Sequence, residues 1–319
     1  MARSSDPDEL FVAARSGDRA ALARLLSLIE RGGEPGRRVG RLAYPESGRA
    51  YTVGLTGAPG AGKSTLTSAT ITHLRSLEIE VAVLAIDPSS PFSGGAILGD
   101  RVRMQDHATD PGVFIRSMAT RGHLGGLSLA TPEAVRLLDA VGRRWVLVET
   151  VGVGQVEVEV AGKADTTVVV VNPGWGDSVQ ANKAGLMEIA DVFVINKADR
   201  KGVAETCRDL EQMLDLSDLP HDAWRPPIVA TVGSTGEGVV EVWEAVLAHR
   251  SYAERSGQLS ERRSYRAAEE LREIVANRLR EKARSLCTGA RWDELTAAVG
   301  QQTTDPWTAA DEMLGGIDA

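Results

Sequence analysis

Gly57-Ala58-Pro59-Gly60-Ala61-Gly62-Lys63-Ser64 reads G-x-x-x-x-G-K-S and lies between an aliphatic run at 51–56 and a stretch of helical periodicity. A phosphate-binding loop needs that context. A strand delivers the chain, glycines turn successive N–H groups inward, and a helix begins with its positive end toward the anion. On this reading Gly57, Ala58, Pro59, Gly60, Ala61 and Gly62 cradle phosphates and Lys63 reaches the β and γ oxygens. The Ser64 hydroxyl is placed to ligate Mg²⁺, and Thr65 lies against the α-phosphate.

Outward from this loop, aliphatic runs recur at 81–86, 145–149, 167–172, 192–196 and 228–231, separated by helical segments. Short buried strands alternating with helices predict an α/β fold, a P-loop NTPase with a mostly parallel central sheet flanked by helices. Leu10, Ala14, Ala21, Leu22, Leu25, Leu26 and Ile29 repeat at helical spacing, and the stretch 32–38 breaks the pattern. Residues 1–45 are therefore expected as a helical extension, 46–250 as the P-loop domain and 251–319 as a C-terminal helical arm that opens near Ser256 and Gly257. Within the arm, 261–286 carries Leu271, Ile274, Val275, Leu279 and Leu286 on one stripe. The stripe either packs on its own domain or joins two chains, the second because 287–319 is too small to form a core alone.

The chain has 319 residues, 43% hydrophobic and 25% charged, with a net charge of -8. That balance predicts a packed soluble protein and argues against nucleic acid as the main partner, since phosphate backbones need clustered Lys and Arg. Cys207 and Cys287 stand far apart in no metal-binding or disulfide pattern, which fits a reducing cytoplasm, and no apolar run is long enough to span a membrane.

The base is chosen elsewhere. Asn196-Lys197-Ala198-Asp199 directly follows an aliphatic strand, where the Asp199 carboxylate can accept both hydrogen bonds that guanine N1 and N2 donate. Adenine carries an acceptor at N1 and would leave the carboxylate unpaired. Together the two motifs predict binding of GTP and GDP in preference to ATP. Thr231-Val232-Gly233 follows the last strand where a base-lining turn is expected, with the Gly233 N–H on offer.

Asp87 and Glu149 each close a strand near the loop, either as caps of the next turn or as groups that hold Mg²⁺. Glu149-Thr150-Val151-Gly152 occupies the place of a γ-phosphate switch, with Gly152 N–H as sensor and Val153 where a water-orienting glutamine is common. Slow intrinsic hydrolysis follows, with Gln155 or a partner supplying the missing group. The Pro-, Ser- and Gly-rich stretch after Asp87 reads as a mobile switch or as a solvated loop. Asp100 is a further candidate for the metal, and Arg103 for the phosphate oxygens. The catalytic set is thus Lys63, Asp87, Arg103, Glu149 and Gln155, and the metal set Ser64, Asp87, Asp100 and Glu149. Trp175, between Gly174 and Gly176, is a core anchor or a partner contact. His107 and His123 are read as ordinary polar groups.

Five segments together resemble one family. They are 57–65, Ile86-Asp87-Pro88-Ser89-Ser90-Pro91-Phe92 with 94–100, Arg116-Ser117-Met118-Ala119-Thr120-Arg121-Gly122, Glu149-Thr150-Val151-Gly152-Val153-Gly154-Gln155 and 196–199. They are similar to the methylmalonyl-CoA mutase-associated GTPases, the MeaB/ArgK group of metallochaperone-type P-loop GTPases. The resemblance implies a homodimer joined by C-terminal helices and a chaperone that couples GTP hydrolysis to adenosylcobalamin loading and protection of an acyl-CoA mutase, methylmalonyl-CoA mutase foremost. It also implies that Ser64, Asp87, Asp100 and Glu149 surround Mg²⁺ and that 177–183 is a third switch. Nickel-inserting GTPases share the fold but use His-rich or Cys-containing sites, and residues 1–50 hold neither His nor Cys. A P-loop kinase, some relatives being tied to amino-acid transport, predicts no preference for guanine.

Overall fold

A computed structural model describes residues 6–88, 105–120, 126–150, 163–174, 188–216, 220 and 222–315. They divide into two compact units, Met1–Arg266 and Ala267–Ala319. The first unit opens with α1 (Pro7–Arg15), α2 (Arg19–Arg31) and α3 (Gly33–Ala43). Asp6 and Asp18 cap the first two helices by accepting first-turn N–H groups. The third helix starts where the sequence reading places a break. Gly32 and Gly33 take φ of +69° and +70°, so they form a tight joint between two helices, and Pro35 falls in the first turn of α3, where its missing N–H costs nothing.

Among the described residues seven strands follow: β1 (Tyr51–Gly57), β2 (Val81–Pro88), β3 (Val113–Thr120), β4 (Trp145–Thr150), β5 (Thr166–Val171), β6 (Val192–Asn196) and β7 (Ile228–Thr231). The helices between and after them are α4 (Lys63–Ser76), α5 (Gly126–Ala140), α6 (Val203–Leu216) and α7 (Val239–Arg255). The long α8 (Gln258–Leu286) begins in this unit. The sheet order is β3-β2-β4-β1-β5-β6-β7, and every pairing among the described strands is parallel. An all-parallel sheet must be covered on both faces. On one face Ala82, Leu84, Ile86, Met118, Val146 and Val148 pack against α1–α3 and α5, and Val169, Val171 and Phe193 against α6. The alternate residues Val53, Leu55, Val83, Leu147, Val170 and Val194 pack against α4 and α7.

The chain leaves β1 toward β2 on one side and later returns to build β5 on the other. The C-terminal edge of β1 is therefore the point where strand order reverses, the position at which open parallel sheets bind ligands. The opposite edge is closed by polar groups. Asp165, buried, accepts from Thr52 N at 3.0 Å and from Arg263 Nη2 at 2.6 Å and also pairs with Arg266, both arginines lying in the first turns of α8. Beside it the Tyr51 hydroxyl meets Thr166 Oγ1 at 2.7 Å, and burial pushes its phenol up to about 12.

In the second unit α8 continues and is followed by α9 (Ala290–Gly300) and α10 (Pro306–Leu314), with Leu295 and Ala309 buried. No described helix is long and apolar enough to cross a membrane.

Candidate functional site

Residues 57–64 form the turn from β1 into α4. Gly57 has a φ of +141°, and a Cβ built on it would lie 2.0 Å from Val170 O of the neighbouring strand. Gly62, at +89°, would drive a Cβ to 2.4 Å from Asn196 Nδ2. Only glycine fits at either place, so the loop is shaped by its neighbours. Gly62 caps α4 with no side-chain hydrogen bond, and the first-turn N–H groups stay directed at the loop's concave side, where the helix dipole favours an anion.

Lys63 is buried and extends back over the loop, donating from Nζ to Gly57 O at 2.7 Å and Ala58 O at 3.2 Å. An ammonium at low dielectric demands such oxygens, and phosphate oxygens are the natural addition to them. Thr65, in the same turn of α4, is exposed.

Glu149 reaches this turn by strand parity. It shares the pleat face of Leu147, which is the α4 face of the sheet, and pairs in register with Leu55 of β1 and Ala85 of β2. Its Oε1 accepts from Ser64 Oγ at 2.5 Å, and both residues are buried. A hydroxyl beside a carboxylate, oxygen donors only, suits a hard divalent cation such as Mg²⁺. Behind them Thr150 Oγ1 donates to Leu55 O at 3.3 Å, a strut between the two strands. Asp87 lies near the end of β2, its backbone opposite Ala119 of β3.

Asn196 turns toward the protein. Its Nδ2 donates to Ala61 O at 2.8 Å, and its Oδ1 accepts from Gly233 N at 3.0 Å and Thr231 Oγ1 at 3.2 Å. One amide therefore ties the phosphate loop, the end of β6 and the turn after β7 together. The Gly233 N–H, which sequence alone leaves open for a base, is used here by Asn196, and Val232 N donates to Glu237 O at 3.0 Å within its own turn. Lys197 takes a φ of +61° and donates from Nζ to Gly60 O at 2.5 Å, so its stem runs over the phosphate loop. Asp199 is exposed, next to it. The structure thus brings together Gly57, Ala58, Gly60, Ala61, Gly62, Lys63, Ser64, Glu149, Asn196, Lys197, Thr231 and Gly233 at one edge of the sheet.

Asp100, Arg103, Gly152, Val153 and Gln155 lie outside the described residues, as do His123, Trp175 and the stretch 177–183. Among the described residues no group of three or more His, Cys, Asp or Glu is placed to hold a metal ion. His107 bonds Ser68 of α4, its Nε2 3.0 Å from Ser68 Oγ. One residue of the site escapes the motif reading. Asn172, which closes β5, donates from Nδ2 to Gly60 O at 3.4 Å. The signal was present, a polar residue ending an aliphatic strand, the same signal that marks Asp87, Glu149 and Asn196.

The family model described as methylmalonyl Co-A mutase-associated GTPase MeaB matches residues 22–287. A Pyrococcus abyssi protein named provisionally as a GTPase is 51% identical over 315 residues, 97% of each chain. The GTPase ArgK of Escherichia coli is 39% identical over 265 residues, covering 81% of this chain and 80% of its own. The mitochondrial methylmalonic aciduria type A homolog of Mus musculus is 34% identical, covering 80% of this chain and 66% of its own. Among solved structures, one described as LAO/AO transport system kinase superposes with a TM-score of 0.71 at 27% identity, covering 100% of both chains.

Proposed function

The chain belongs to the MeaB family of methylmalonyl-CoA mutase-associated GTPases and is a GTP hydrolase, and from that premise we propose that its turnover serves as a chaperone step for an adenosylcobalamin-dependent acyl-CoA mutase, methylmalonyl-CoA mutase first among them. The observation that supports the nucleotide half of this reading most directly is the Asn196 amide, which links a phosphate loop to a base-reading loop within one hydrogen-bonded frame. The partner half rests on the family's description and on the mouse relative's name, which refers to methylmalonic aciduria.

In this reading Lys63 keeps its Nζ at the β and γ oxygens, and the first-turn N–H groups of α4 hold the phosphates. Ser64 and Glu149 hold Mg²⁺, with Asp87 and Asp100 as further donors. The metal supplies charge neutralisation at the β- and γ-phosphates. Asp199 reads guanine N1 and N2, and Lys197 supports the loop beneath the base. Arg103, Gly152 and Gln155 are the groups we assign to sensing and stabilising the γ-phosphate. With valine at 153, hydrolysis by the isolated protein is slow, and the mutase completes the site.

The test is GTP hydrolysis by the purified protein, with ATP as control, in the presence and absence of an adenosylcobalamin-dependent acyl-CoA mutase from the same source. Guanine-selective turnover that rises when the mutase is added is the expected result. Guanine-selective turnover indifferent to every such mutase would remove the chaperone role. Equal use of ATP, with phosphate passed to an acceptor, would favour the kinase named in the structural likeness.

A further inference from the structure

We propose that Asn172 is a positioning residue of the guanine-nucleotide site, holding the Gly60 carbonyl jointly with Lys197 so that phosphate loop and base-reading loop keep their spacing. The proposal rests on the nucleotide reading above and adds to it a residue that none of the site motifs contains.

The topology puts Asn172 there. β5 lies between β1 and β6 in the sheet, so the residue that ends it faces the gap between the loop after β1 and the loop after β6. Two donors converge in that gap on one oxygen. Lys197 Nζ lies 2.5 Å and Asn172 Nδ2 3.4 Å from Gly60 O. Gly60 needs holding, because at a φ of +73° it has open space on its Cβ side and no neighbour fixes it from there. Lys197 also needs holding, since a non-glycine residue at +61° persists only when its surroundings over-determine it.

Asn172 Oδ1 is buried and accepts no hydrogen bond from the described residues. A buried amide oxygen without a donor is unfavourable, so the hydrogen bond from Nδ2 to Gly60 O is the contact among the described residues that favours asparagine here. The backbone two residues further on is braced from the other side. Gly174 N donates to Thr206 Oγ1 at 3.0 Å, and Thr206 is buried on α6. The segment from Asn172 to Gly174 therefore joins Thr206 on α6 to the crown of the phosphate loop.

A bound guanine nucleotide spans both loops, so its residence time depends on how firmly their spacing is preset. The experiment uses the full-length protein loaded with GDP that carries a methylanthraniloyl fluorophore, chased with excess GDP. Asn172→Ala is expected to release the probe about fivefold faster, the size expected from one lost hydrogen bond. The KM for GTP should rise by more than kcat falls, and the nucleotide-free melting temperature should stay unchanged. Asn172→Gln should recover part of the lost residence time. Release within twofold of wild type, or a melting temperature that falls in step with the faster release, would overturn the proposal.

If Asn172→Ala does not fold, Thr206→Val removes the brace and leaves the amide in place. It should speed release in the same direction by a smaller factor, and no change there overturns the proposal as well. Wild-type protein that binds no fluorescent GDP would sink the nucleotide reading itself, and this inference with it.

Discussion

Two glycines of the phosphate loop separate two reasons for being glycine. At Gly57 the backbone is at +141° and a side chain would have to occupy the space of Val170 O, part of the β5 backbone. At Gly60 the φ is +73° and the space is empty. Gly57→Ala should therefore cost about 3 kcal/mol or more, because strand β5 must shift, and should abolish nucleotide binding with it. Gly60→Ala carries only the left-handed penalty of about 1 kcal/mol and should still bind GDP. Urea denaturation and a GDP titration of both variants check this. Equal losses at the two sites would mean that conformation, and not the approach of β5, sets the requirement. Asn196 shows how far sequence reached at this scale. The motif located it, but only the structure shows its amide facing Ala61, Thr231 and Gly233, because those residues meet only after β1, β6 and β7 have been aligned.

The elements legible in the sequence were those whose environment is uniform. β1, β2, β4, β5 and β6 are covered on both faces and read as aliphatic runs. β3 does not read as an aliphatic run because its sequence Val113-Phe114-Ile115-Arg116-Ser117-Met118-Ala119-Thr120 is mixed, whereas β7, the other edge strand, is short and aliphatic enough to be read. Arg116 in the middle of β3 pairs with Glu30 and donates to Ser27 Oγ at 3.0 Å, so the polar residue that disguises the strand is what ties it to α2. The start of α8 holds on in a similar way, through Asp165. Burial alone would raise the Asp165 carboxyl, and Arg263 with Arg266 more than reverses this, leaving it below the ordinary 3.8. A carboxylate depressed in the folded state stabilises fully above the unfolded value of about 4, and loses that contribution as pH falls through the lower folded value. Asp165→Asn should cost about 3 kcal/mol at pH 7, because two arginines keep a partner that no longer carries charge. Between pH 7 and pH 5 the gap between wild type and variant should be flat, and it should close below about pH 4. Denaturant midpoints across that range measure it. A gap that closes already between pH 7 and pH 5 would assign the effect to another group.

At the scale of the whole molecule the question is what the C-terminal arm is for. In α8 no residue is buried, yet Leu271, Val275 and Leu279 follow one another at four-residue spacing with exposures of 63%, 50% and 62%. Four-residue spacing puts them on one face of the helix, and an apolar stripe left in water is unfavourable unless something covers it. The family match runs through residue 287 and so takes in the whole of α8. This places the stripe in the part of the chain shared with GTPases and sets it apart from α9 and α10. We therefore expect a second copy of the chain to cover it. Light scattering should give the mass of two chains for the wild type, and Leu271→Lys with Leu279→Lys should give the mass of one, while GTP binding in the first unit persists. A wild type of single-chain mass at the concentrations used for hydrolysis would refute the dimer. Double-variant protein that stays dimeric would move the interface to another surface.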